Sequence, residues 1–134
     1  MAQIKNGNRP KILLVDDEEI VRILLTEYLD DLDTEVDVFE ADNGRSAIEA
    51  IRLHGAPDVI ISDIMMPDMD GFALLDRMKS DPTTTGIPFM VITADDQPET
   101  RERAFRMGAS DFVLKPLAQD SFVARVQKFV STAA

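Results

Sequence analysis

Four apolar runs in this sequence end on residues that can do chemistry. Leu13-Leu14-Val15 runs into Asp16-Asp17, Val59-Ile60-Ile61 leads to Asp63, Phe89 to Ile92 leads to Thr93, and Phe112-Val113-Leu114 leads to Lys115. Three carboxylates with waters and a backbone carbonyl suit an octahedral magnesium ion. A carboxylate beside such a site is a candidate nucleophile towards phosphorus. Attack on an anionic phosphoryl group needs charge neutralisation, which a metal and an ammonium supply. Each residue taken singly has a plainer reading: helix N-terminal acids for Asp16 and Asp17, a turn residue for Asp63, a strand residue for Thr93, a surface cation for Lys115. Taken together they say more. Like charges at contact distance are costly unless a cation intervenes. A Lys-Pro pair facing acids reads as a fixed cation for Asp63 or for a phosphate on it. Pro116 also admits a cis peptide bond, and Thr93 offers a hydroxyl donor.

These residues share an edge only if the elements between them alternate. Lys11 to Val15 reads as a buried strand, and from Glu18 the spacing of Val21, Leu24, Leu25, Tyr28 and Leu29 is that of an amphipathic helix. Val36 to Phe39 suggests a second strand nearer an edge. Asn43-Gly44 marks a turn into a helix with Ala47, Ile48 and Ile51, stopped by Gly55 and Pro57. The strand at Val59 to Ile61 precedes a helix bearing Phe72, Leu75 and Met78. Strands at Phe89–Ile92 and Phe112–Leu114 flank a helix that starts near Pro98 and ends at Met107-Gly108. A last helix aligns Phe122, Val126, Phe129 and Val130. Five such cycles imply a flavodoxin-like (βα)5 three-layer α/β sandwich with a parallel sheet of order 2-1-3-4-5. In that topology the site lies beyond the carboxyl ends of the strands. The expected organisation is one domain over residues 10–131, with tails at 1–9 and 132–134.

Composition narrows the functional classes. Against 14 Lys and Arg stand 25 Asp and Glu, a formal charge of −11, which argues against direct binding of nucleic acid or anionic lipid. With no cysteine and one histidine there is no disulfide, thiol nucleophile, zinc-thiolate site or histidine metal cluster. His54 reads as a solvated side chain at a helix end. Any metal is therefore held by oxygen. No apolar run reaches membrane-spanning length, and the polar N-terminus lacks a signal-peptide core. The reading is of a cytoplasmic protein.

The segments Leu-Leu-Val-Asp-Asp-Glu (13–18), Asp-Ile-Met-Met-Pro-Asp-Met-Asp-Gly (63–71), Ile-Thr-Ala (92–94) and Gly-Ala-Ser-Asp-Phe-Val-Leu-Lys-Pro (108–116) resemble the receiver domain of two-component response regulators. The resemblance runs over roughly residues 10 to 131, with all four blocks in family order. It implies that Asp63 is the phosphoacceptor, served by a histidine kinase or a histidine phosphotransfer protein. It implies a Mg2+ (or Mn2+) site from Asp16, Asp17, Asp63 and the backbone carbonyl of Met65. Thr93 matches the switch hydroxyl, Lys115 the lysine that contacts the phosphoryl group, and Phe112 the aromatic switch position, often Tyr in the family. Such a domain catalyses only its own phosphorylation and dephosphorylation.

On that reading the signal leaves through the fourth helix, fifth strand and fifth helix, with Arg101, Arg103, Arg106, Asp111, Arg125 and Lys128. The expected partner is a downstream protein or an output domain. A monomer is preferred over a weak phosphorylation-dependent dimer, because Ser121 stands where dimerising relatives of the winged-helix class usually have Glu. Three rivals are weaker. A flavin phosphate would be repelled by the loop Asp-Asp-Glu-Glu (16–19). An aspartate-nucleophile, Mg-dependent phosphatase would need an Asp-x-Asp segment and a cap, and turnover of a phosphomonoester would reveal it. A binding-only pseudo-receiver usually lacks one of the acids or the lysine, and here all are present.

Overall fold

The computed structural model describes residues 9–133. The five strands are β1 (Lys11–Val15), β2 (Asp37–Ala41), β3 (Val59–Asp63), β4 (Phe89–Thr93) and β5 (Asp111–Leu114). Between and after them run α1 (Glu19–Leu29), α2 (Gly44–His54), α3 (Gly71–Ser80), α4 (Pro98–Arg106) and α5 (Gln119–Ala133). All strand pairs are parallel and the order is β2-β1-β3-β4-β5. This is the flavodoxin-like arrangement the alternating pattern predicts. The N-terminal tail expected at 1–9 falls, apart from Arg9, outside the described residues, as does Ala134.

Strand periodicity splits the core in two. Leu13 and Val15 face one side of β1 and join a cluster with Ala47 of α2, Leu75 of α3 and Ala104 of α4. Ile12 and Leu14 face the other and join Leu25 and Leu29 of α1 and Phe122, Val126 and Val130 of α5. Central strands β3 and β4 are buried at every position, hence their unbroken apolar runs, whereas edge strand β2 is mostly open. Each large apolar side chain fully buried in these layers contributes about 1.5–3 kcal/mol.

Two local readings shift. Strand β2 begins at Asp37 and runs on to Ala41, because its pairing with β1 carries it past the apolar residues visible in sequence. Leu24 is not in the buried stripe of α1: it is 41% exposed, and Leu25, Leu29 and Leu32 fill the core beside α5. Asn43-Gly44 forms the start of α2. The Ser46 N–H donates to Asn43 Oδ1 at 2.8 Å and the Asn43 N–H donates to Ser46 Oγ at 3.2 Å, a reciprocal cap that contributes about 1 kcal/mol. His54 is exposed at the end of α2, with its ring 5.3 Å from that of Phe39.

Gly71 opens α3 directly against the end of β3. Its N–H donates to Ile64 O at 2.9 Å, and a Cβ added here would lie 2.2 Å from Asp63 O and 2.7 Å from Ile64 Cα. Backbone cannot step aside as a side chain can. Gly71→Ala is expected to destabilise the fold by about 2–3 kcal/mol, read as a lower urea midpoint at unchanged slope. A midpoint equal to that of the parent chain would contradict this packing.

Candidate functional site

Register alone places the strand ends together. Val15 pairs with Ser62, Asp63 with Ile92, and Thr93 with Leu114. One step beyond these pairs, Asp16 emerges beside Asp63, and Lys115 follows Thr93. The Lys115 N–H donates to Thr93 O at 2.8 Å, and the Lys115–Pro116 peptide is cis.

The side chains then converge. Carboxylate oxygens of Asp16, Asp17 and Asp63 lie within 4.8 Å of one another. Asp16 and Asp63 are buried while Asp17 opens to solvent. Asp63 Oδ1 accepts from the N–H groups of Ile64 at 2.6 Å and Met65 at 3.2 Å. Asp63 Oδ2 meets Lys115 Nζ at 2.8 Å. The same ammonium donates to Asp16 Oδ2 at 2.9 Å and reaches Glu18 Oε1 at 3.5 Å. Glu18 is a contact that sequence reasoning misses; its place beside the acidic pair is the available signal. Met65 sits in the loop after β3 with its side chain largely exposed, beside Asp17 in an open cleft also lined by Pro67, Phe72 and Arg103.

This donor set fits a hard divalent cation. All the ligand-bearing side chains are carboxylates, which suit Mg2+ or Mn2+ and leave coordination sites for water. Burial pushes the Asp16 carboxyl above its ordinary value of 3.8, against hydrogen bonds from Glu18 and Lys115 that favour the anion. Burial by itself would lower the Lys115 pKa, but the hydrogen bonds and charges of Asp63 and Asp16 override it and raise it.

A pH dependence follows. Above 3.8, and up to the raised value of Asp16, the folded chain holds more protons than the unfolded one, so stability falls as pH rises through that window. Lys115 acts elsewhere: its contribution is full below 10.5 and is lost as pH climbs through its raised value. The lowered pKa values of exposed Asp81 and half-buried Asp95, each held by hydrogen bonds to its carboxylate, act below 3.8 and leave the Asp16 window clear. Without divalent metal, melting temperature is expected to decline as pH rises from 3.8 through the raised Asp16 value. Added magnesium, which selects the ionised carboxylates, flattens or reverses that slope. Identical pH profiles with and without magnesium would contradict the assignment.

The remaining sequence candidates divide. Thr93 is fully buried, and its Oγ1 accepts from the Asp95 N–H at 3.2 Å. Asp95 in turn takes the Gln97 N–H at 3.0 Å and the Thr100 hydroxyl at 2.7 Å, closing the loop into α4. Phe112 is 5% exposed and packs with Phe105, with the Arg101 guanidinium 5.8 Å and 5.1 Å from the respective ring centroids. Arg125 pairs with Asp111 at 2.6 Å across the α5–β5 face. Arg103 departs from expectation: it lies 3.9 Å over the Phe72 ring and faces the cleft of Asp17 and Met65, because that side of α4 turns towards α3.

A doubly wound sheet with an acidic triad and a lysine at the carboxyl ends of its strands defines a class of signalling domain. Residues 12–127 match the family described as the response regulator receiver domain, and the chain belongs to that family. It is 40% identical over 118 residues to the response regulator PleD of Caulobacter vibrioides, an alignment covering 87% of this chain and 25% of PleD. With the phosphate regulon transcriptional regulatory protein PhoB of Rhizobium meliloti it shares 36% identity over 126 residues, 92% of this chain and 53% of PhoB. The chain thus spans 25% and 53% of the length of these two relatives. Among solved structures, the signal receiver domain of a signal transduction histidine kinase from Syntrophus aciditrophicus is 32% identical, with a TM-score of 0.81 over 92% of this chain and 91% of that one. Among the described residues no helix is long and apolar enough to cross a membrane.

Proposed function

We propose that residues 10–131 act as a cytoplasmic receiver that accepts a phosphoryl group on Asp63 from a phosphohistidine of a histidine kinase or histidine phosphotransfer protein. One observation carries this reading: Asp63 has one oxygen held by two amides, the other on Lys115, and two further carboxylates within ligand-sharing distance. An Asp63 oxygen attacks phosphorus, the nitrogen–phosphorus bond of the donor breaks, and its electron pair returns to the imidazole. Asp63 is left as a mixed anhydride of carboxylate and phosphate. Asp16, Asp17, Asp63 and the Met65 carbonyl would hold a magnesium ion, which would supply charge neutralisation for the transferred phosphoryl group. Lys115 moves its ammonium from Asp63 Oδ2 to a phosphoryl oxygen, and the Thr93 hydroxyl turns to donate to another.

Drawing Thr93 towards the phosphoryl group frees the Asp95 N–H and pulls on the loop into α4. Phe112 is buried in this structure, and phosphorylation acts by selecting the arrangement of α4, β5 and α5 that packs against that ring. The face carrying Arg101, Arg106, Asp111, Arg125 and Lys128 then engages a downstream protein or an output domain. Addition of beryllium fluoride with magnesium is expected to shift amide resonances mainly within residues 93–130. Shifts confined to α2 and α3 would overturn this choice of output face.

A further inference from the structure

We propose that Arg22 is a positioning residue for the divalent-cation site: it fixes the peptide that joins Asp16 to Asp17. This role rests on the metal reading above and extends it to a residue outside the pocket.

Hydrogen bonds hold the loop leaving β1 unevenly. The Asp16 N–H continues the sheet by donating to Ala41 O at 3.1 Å. Its Oδ1 accepts from the Glu18 N–H at 2.9 Å, and its Oδ2 pairs with Lys115. Asp16 is therefore held at its amide and at both carboxylate oxygens. The Asp17 side chain has no such anchor: its carboxylate is exposed and takes no hydrogen bond among the described residues. What sets the place of Asp17 is the orientation of the peptide before it. The carbonyl of that peptide, Asp16 O, accepts from Arg22 Nη1 at 2.5 Å.

Arg22 is itself well anchored. It lies one turn into α1, where its own N–H donates to Glu18 O at 3.2 Å. Its Nε donates to Glu40 Oε1 at 2.8 Å, on the strand beside β1, and its side chain is only 16% exposed. One planar guanidinium thus ties helix, edge strand and ligand loop together, a geometry that an ammonium cannot reproduce. Its charge is matched by Glu40, so its effect on the pocket is one of direction more than of field. Groups that orient metal ligands commonly alter metal affinity by about tenfold or more when removed.

The sign of the effect separates positioning from simple charge. Deleting a cation near an acidic site, with nothing else changed, tightens magnesium binding. Losing the orientation of Asp17 weakens it. Magnesium titrations of the full chain, followed by amide shifts and by the magnesium-dependent rise in melting temperature, are expected to give a half-saturation about tenfold higher for Arg22→Gln. Arg22→Lys keeps the charge and loses the two-pronged contact, so it also weakens binding. Phosphorylation by acetyl phosphate along the same titration is expected to fall at low magnesium and recover as magnesium rises, which a general loss of fold does not produce. Half-saturation in Arg22→Lys equal to that of the parent chain, or tighter binding in Arg22→Gln, overturns the inference alone. A parent chain with no saturable magnesium response overturns the metal reading, and this inference with it.

Discussion

Asp63→Asn is expected to remove phosphorylation completely while leaving the fold intact. Incubated with magnesium and acetyl phosphate, the parent chain gains the mass of one phosphoryl group and the variant gains none. The introduced carboxamide can still lie against the Ile64 and Met65 N–H groups that now hold Asp63 Oδ1, but it is not a nucleophile towards phosphorus. The substitution also takes one negative charge from a cluster whose oxygens lie within 4.8 Å of one another. Melting temperature without metal should therefore hold or rise. Intact-mass spectrometry and a melting curve on the same sample check both halves. An unchanged phosphoryl increment in the variant moves the acceptor elsewhere.

Lys115→Ala has the second largest expected effect, and it falls on stability as well as chemistry. The Nζ bridges Asp16 and Asp63 at 2.9 and 2.8 Å, with the lysine side chain 15% exposed and the two carboxylates 1% and 7%. Without it two buried anions face each other unpaired. At neutral pH in the absence of magnesium the loss is expected to be about 3 kcal/mol, and magnesium should restore part of it. Phosphoryl transfer to Asp63 slows by roughly a hundredfold, the lower end of the range for removing one charge-stabilising donor. The phosphorylated variant should also fail to reproduce the amide shifts in residues 93–130, since the cation that ties the phosphoryl group to β5 is gone. Denaturant midpoints with and without magnesium, and the rate of mass gain, test this. Equal midpoints for variant and parent would contradict the bridge.

Most of the site is legible in the sequence because parallel strands make it a matter of chain order. Once strands end at Val15, Asp63, Thr93 and Leu114, register carries Asp16, Asp63, Thr93 and Lys115 to one edge without knowledge of any side chain. Side-chain reach is a different kind of quantity. That Arg22 turns back to the Asp16 carbonyl depends on how α1 is rotated about its axis, and the apolar spacing leaves that rotation loose enough to misplace Leu24. Arg103 departs from its expected place for a similar reason. Charge suggests a solvated face, whereas stacking on Phe72 turns it towards the cleft. Edge strand β2 is offset because a strand open on one side has few apolar positions to mark its ends.

Where the phosphoryl group sits tests the central claim most directly. The chain is phosphorylated with acetyl phosphate and magnesium, treated with borohydride to reduce the acyl phosphate, digested and sequenced by mass spectrometry. Reduction converts a phosphorylated aspartate to homoserine. The expected result is homoserine at position 63, with Asp16 and Asp17 unmodified and no signal when magnesium is chelated. Homoserine at position 16 or 17, or a yield that does not depend on magnesium, would contradict it.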